Sequence, residues 1–380
     1  MNLYYTEICQ LLNGDRELEN SGYFVKTDDG RIVQSDTVLI DVQVVTLKEL
    51  EDALYEGCIH IVNEFISTNN NKDVYAFNLY ADEYNSFYVY LNTEQSFEEH
   101  VERHYATDTK DSKLEIKYNQ GDFTYQFFPS DMGKMQELIE GCEHLAYSGV
   151  QHNEDLEDLL DCDRALIAYE KKIFNGGFYL AAFNALKRIG NTSELDKLHK
   201  TDNFIFYAAT GHDYIDYSLL MRKTIDLPLF YSCFPDLKTK DDEFDGLMKS
   251  INSKNIIEIV DFMEIALQGE FNEGSPYEYI KMEYQVFDTF KNKGGKLAAE
   301  CTNRLEKSII DDLTNNVNRN KIEIYLKALE FIQCDEEIVN RLQVVLSKVR
   351  DYPYNEFLSG FFTQIQSDIG ILIRRNSKRN

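Results

Sequence analysis

The chain has 380 residues, with 66 Asp and Glu against 39 Lys and Arg, a formal net charge of −27 and no Trp. Hydrophobic residues make up 43% of it, enough to fill the cores of two or three domains and too many for a disordered chain. A surface this negative repels nucleic acid, which is bound by Lys and Arg displacing phosphate counterions, and it repels anionic membranes, while it attracts basic proteins.

The first predicted element is a helix over residues 2–13, with Leu3, Ile8, Leu11 and Leu12 apolar and Asn13-Gly14 as its stop. A hairpin follows, Tyr23–Val25 and Ile32-Val33 around Asp28-Asp29-Gly30, then a strand at Val38–Val45. Thr46 and Glu49 form a capping box for a helix reaching about Ser67 on Leu47, Leu50, Leu54, Cys58, Ile61, Val62 and Phe65. Val74–Tyr80 and Phe87–Leu91 read as strands around the turn Ala81–Ser86, and Asn92-Thr93-Glu94 opens a helix through about Tyr105. Leu114–Tyr118 and Phe123–Phe128 suggest a second hairpin, and helices are expected at 131–147 and 154–173. After Asn175-Gly176-Gly177 comes a helix over Phe178–Ile189, then an aromatic strand Phe204–Ala209 and a short helix Tyr217–Lys223.

The charged run Lys238–Asp245 reads as a linker, and beyond it nearly everything is helical: 253–268, 277–291, 295–314, 320–332, 335–349 and 354–373. Ile322, Tyr325, Leu326, Leu329 and Ile332 are expected to face Ile338, Leu342, Val345, Leu346 and Val349 in a helical hairpin, and the basic tail Arg374–Asn380 is expected to fray. The fold class expected is α+β: an N-terminal antiparallel sheet with packed helices over residues 1–240, then an all-α domain of helical hairpins over 246–380.

Charge is unevenly distributed. Residues 1–100 carry 19 acids and 5 bases, residues 101–300 carry 36 and 22, and residues 301–380 carry 11 and 12. The seven cysteines, at 9, 58, 142, 162, 233, 301 and 334, are scattered and form no C-x-x-C pair, which fits buried thiols in a reducing compartment and gives no zinc or redox motif. The opening MNLYYTEICQLLNGDRE lacks a basic leader pattern, and no run of about 18 apolar residues follows. The expectation is a cytoplasmic protein, with no cofactor and no metal implied.

Chemistry-bearing residues are few. His100 and His104 sit at i, i+4 as on a zinc helix, but Val101 and Glu102 break the H-E-x-x-H order and no third ligand is evident, so a solvated helix face is the better reading. Asn175-Gly176-Gly177 precedes a helix without the Lys or Ser/Thr of a phosphate loop, so a turn is preferred. His212-Asp213 at a strand end could supply a general base, but no nucleophile is assignable beside it, and a hydrogen-bonded turn is favoured. The acidic clusters weigh most: Asp73, Asp82 and Glu83, then Glu94, Glu98 and Glu99, then Glu154, Asp155, Glu157 and Asp158, the last run interleaved with Leu156, Leu159 and Leu160 as an amphipathic helix. Each cluster is either a docking surface or a solvated face. No catalytic residue is assigned.

The strings "DVYAFNLYADE", "VYLNTEQSFEEHVE" and "LEIKYNQGDFTYQF" resemble a bacterial family known as domain of unknown function 4303. The matching positions are Tyr75, Ala76, Phe77, Leu79 and Tyr80; Asn92, Thr93 and Glu94; and Tyr118, Gly121, Asp122, Phe123 and Tyr125. "FYLAAFNALKRI" and "NFIFYAATGHDYID" are similar to that family's closing helix and strand, although its usual helix ending in Glu-Gly-x-Phe-Gly is missing, and the resemblance covers about residues 45–235. The run "ALIAYEKKIFNGGFYLAAFNALKRIG" also resembles a second acidic family whose members include a DNA-mimicking protein. The first resemblance implies a toxin-immunity context. The function expected is therefore an acidic, cytoplasmic protein-binding module, an immunity protein or inhibitor neutralising a basic toxin or nuclease, with no direct nucleic-acid or membrane contact. The alternatives are an enzyme whose site is assembled from distant residues, His212 and Asp213 first among them, and a helical-repeat adaptor.

Overall fold

The computed structural model describes residues 5–27, 32–37, 42–82, 86–105, 116–148, 165–211, 219–268, 282–309, 315–351 and 358–377. The chain divides into two compact units, Met1–Pro235 and Asp236–Asn380.

The first unit runs α1 (Tyr5–Asn13), β1 (Tyr23–Thr27), β2 (Ile32–Ser35), β3 (Gln43–Val45), α2 (Leu47–Ile66), β4 (Val74–Ala81), β5 (Phe87–Thr93), α3 (Glu94–His104), β6 (Tyr125–Phe127), α4 (Gln136–Ser148), β7 (Ala165–Glu170), α5 (Phe178–Gly190), β8 (Lys200–Thr210), α6 (Leu219–Thr224) and α7 (Leu227–Cys233). The fold is α+β, but the strands form two mixed sheets in place of one antiparallel sheet. The first has the order β2-β1-β7-β3 and the second β6-β5-β4-β8. β3 runs parallel to β7 and β4 parallel to β8, while the other pairs are antiparallel.

Helices α2 and α5 pack on each other and link the sheets. Leu50, Leu54, Ile61 and Phe65 of α2 and Ala185, Leu186 and Ile189 of α5 share one core with Val45 and Tyr169 of the first sheet and Phe77, Leu79, Val89 and Leu91 of the second. The capping box at Thr46 forms as expected, with the Glu49 N–H donating to Thr46 Oγ1 and the Thr46 N–H to Glu49 Oε2. Glu170, at the end of β7, accepts from the Leu47 N–H at 2.8 Å, which places a carboxylate at the positive end of α2. Arg188 of α5 reaches back to Glu51 (3.1 Å) and Asp52 and lies 4.4 Å over the Tyr55 ring.

Three local expectations fail for physical reasons. Residues 165–170 of the expected helix 154–173 are β7, because Ala168 and Tyr169 are buried and the segment takes ladder bonds from β1 and β3 on its two edges; that pairing overrides the weak helical preference of Ala, Leu and Glu. Residues 154–164 lie outside the described residues. Among the described residues the second hairpin is not seen: residues 116–118 make a helical turn and β6 pairs with β5, while residues 114–115 lie outside the described residues. Lys238–Asp245 lies within helix α8 (Pro235–Asn252), where Lys238 pairs with Asp242 and Leu237, Phe244 and Met248 are buried. The charged run is thus one solvated helix face.

The second unit continues with α9 (Ile256–Ala266), α10 (Glu283–Phe290), α11 (Gly295–Ser308), α12 (Asn316–Glu330), α13 (Glu336–Asp351) and α14 (Ser359–Ser377). The expected direct pairing of α12 with α13 is not its main contact, for α12 packs chiefly on α11 and α13 chiefly on α14. The tail is also more ordered than expected. Helix α14 runs through Ser377, and Asn376, 3% exposed, accepts from the Cys334 N–H at 3.0 Å while Arg375 donates to the Glu330 carbonyl. Glu264 joins three helices of this unit: it accepts from Tyr325 (2.5 Å) and pairs with Arg304 (2.5 Å) and Lys321 (3.0 Å).

Two outcomes follow from this packing. A Cβ on Gly141 would stand 2.0 Å from the Tyr169 hydroxyl oxygen, so Gly141→Ala should cost about 1–3 kcal/mol in urea unfolding; a loss under about 0.5 kcal/mol, the usual surface effect, would contradict the packing. Burial raises the Glu264 carboxyl, but hydrogen bonds from Tyr325, Arg304 and Lys321 outweigh it and hold the group below its ordinary 4.5. A depressed carboxylate contributes stability that is present above the unfolded value and lost as pH falls through the folded one. Full-length protein should therefore lose stability below about pH 4.5 more steeply than Glu264→Gln does; identical acid limbs would contradict this.

Candidate functional site

Strand alternation divides the residues of the second sheet. Phe77, Leu79 and Ala81 of β4 and Phe87, Val89 and Leu91 of β5 enter the core. Asn78, Tyr80 and Asp82, with Tyr88, Tyr90 and Asn92, therefore project from the opposite face. The register sets Tyr80 opposite Tyr88 and Asn78 opposite Tyr90, with Tyr207 of β8 on the other side of Asn78.

One end of this face is a closed box. The buried Tyr75 ring meets Phe97, Tyr118 and Phe123 edge-on, with centroids 5.7–6.1 Å away. Its hydroxyl donates to the Lys117 carbonyl (2.6 Å) and accepts from Asn92 Nδ2 (2.9 Å). Lys117 Nζ lies 4.8 Å over the Tyr75 ring and is held by Glu94 at 2.7 Å. Burial drives the Tyr75 hydroxyl well above its ordinary value, so it remains a neutral donor.

The other end is more open. Tyr80, Tyr88 and Tyr90 are half-buried, with ring centroids 6.1–6.2 Å apart. Phe128, 47% exposed, lies 5.7 Å from Tyr88. Asp82 is buried beside them and accepts from the Ser86 N–H at 2.8 Å.

The acidic residues nominated by sequence do not form one cluster. Asp73 precedes β4, where its carbonyl accepts from the Glu94 N–H, and Glu94, Glu98 and Glu99 lie on α3 nearby. Asp82 follows the same strand, nine residues from Asp73 and so roughly 30 Å away. Glu83, Glu154, Asp155, Glu157 and Asp158 lie outside the described residues, as do His212 and Asp213. Helix α3, capped by Thr93 accepting from the Ser96 N–H, turns Glu98, Glu99 and Glu102 to solvent. These three and Asp73 make no ion pair among the described residues, and neither do exposed Glu64, Glu243 and Asp245, whereas Asp52 pairs with Lys48 and Arg188, Glu56 with Lys134, Glu264 with Arg304 and Lys321, and Glu306 with Arg341.

Other motifs resolve into structure. His100 Nε2 lies 3.2 Å from Asp122 Oδ1, with the His104 ring 4.9 Å away; among the described residues no group of three His, Cys, Asp or Glu could hold a metal. Gly176 has φ of +98° and a Cβ on Gly177 would meet the Lys172 carbonyl at 2.6 Å, so these glycines serve a tight entry into α5. Burial raises the Cys58 thiol to about 12 and the Cys334 thiol to about 11, which keeps both protonated at neutral pH. No helix among the described residues is long and apolar enough to cross a membrane.

A family model described as a domain of unknown function (DUF4303) matches residues 54–222. The chain carries a DUF4303 domain. No curated protein and no solved structure matches the chain. The DUF4303 domain contains both ends of the tyrosine face and all of α3, while the helical second unit lies beyond the matched residues. Sequence reasoning singled out the acids but missed the tyrosines; the spacing of Tyr88 and Tyr90, alternating with apolar Phe87, Val89 and Leu91, was the available signal.

Tyr75→Phe removes one donor and one acceptor from the closed box and leaves Asn92 and the Lys117 carbonyl without that partner. It should cost about 1–3 kcal/mol, read by urea unfolding, and an unchanged midpoint would contradict the role given to the hydroxyl.

Proposed function

We propose that this protein is an acidic cytoplasmic protein-binding module that neutralises a basic partner, as an immunity protein or inhibitor acts on a toxin or nuclease. The observation that carries the reading is the concentration of unpaired, exposed carboxylates at Asp73, Glu98, Glu99 and Glu102, next to a region where Glu94 is already neutralised by Lys117. Carboxylates locked in ion pairs have little field left to offer a partner. Unpaired ones beside a low-dielectric wall steer a cationic protein toward them and favour it over neutral competitors. The net charge of −27 acts in the same direction at longer range.

The test is capture from the native host at about 0.15 M salt, where charge interactions are screened beyond ~8 Å. Full-length protein should retain a basic protein, and Glu98→Gln/Glu99→Gln/Glu102→Gln should lower its affinity by about tenfold or more. Co-expression should relieve the growth defect caused by that partner. A neutral or acidic partner, or a basic one whose binding ignores both the triple variant and added salt, would contradict the proposal.

A further inference from the structure

We draw no further inference here: the strongest candidate, the side-chain cluster in which the rings of Tyr75, Phe97 and Tyr118 surround an ammonium at 4.8–5.9 Å, is filled by the chain's own Lys117, held by Glu94, and belongs to the closed box already described.

Discussion

The β4–β5 ladder fixes which side chains the DUF4303 domain buries and which it presents. Seven register pairs run from Val74↔Thr93 to Ala81↔Phe87, and because side chains alternate with a period of two, a slip of one residue would exchange the two faces entirely. The inward set is purely apolar and meets α2 and α5. The outward set is tyrosine, asparagine and aspartate, which an apolar core would reject. The parallel partner β8 sets Tyr207 beside Asn78, and β6 carries the chain to Phe128 at the rim.

Charge is distributed over the molecule by the same economy of pairing. On α2 the acids near the N-terminal end help cap the helix or clamp α5 through Arg188, and in the second unit Glu264 and Glu306 join helices to one another. These carboxylates serve the fold. Glu98, Glu99 and Glu102 on the outer side of α3 make no ion pair among the described residues and remain in water, Glu99 accepting only from Gln95 of its own helix. A surface charge without an internal partner contributes little to stability, so its effect is felt by whatever approaches from outside.

How much of this was legible in the sequence follows from the range of the interactions. The helix α2 was readable because Thr46 and Glu49 are three residues apart and its apolar stripe repeats every three or four. β4 and β5 were readable as a local pair, and the tyrosine face could have been read from their alternation. β7 was not, since Ala165–Glu170 carries helix-forming residues and becomes a strand only between β1 and β3, more than a hundred residues away in sequence. The Glu170 contact to the α2 N-terminus and the Lys117–Glu94 pair have no local signature either. The buried Asn376 looked like part of a frayed polar tail, because only its contact with Cys334 explains its position. Spacing alone grouped Asp73 with Asp82 in one cluster, whereas they stand at opposite ends of β4.

The central claim is that the unpaired carboxylates of α3 meet a cationic protein. Hydrogen exchange on the full-length chain, with and without the basic partner captured from the host, tests this most directly. The account predicts slowed exchange in residues 86–104, which contain β5 and α3, with little change in α8–α14. Protection confined to residues 236–380, with β5 and α3 exchanging as in the unbound protein, would contradict it.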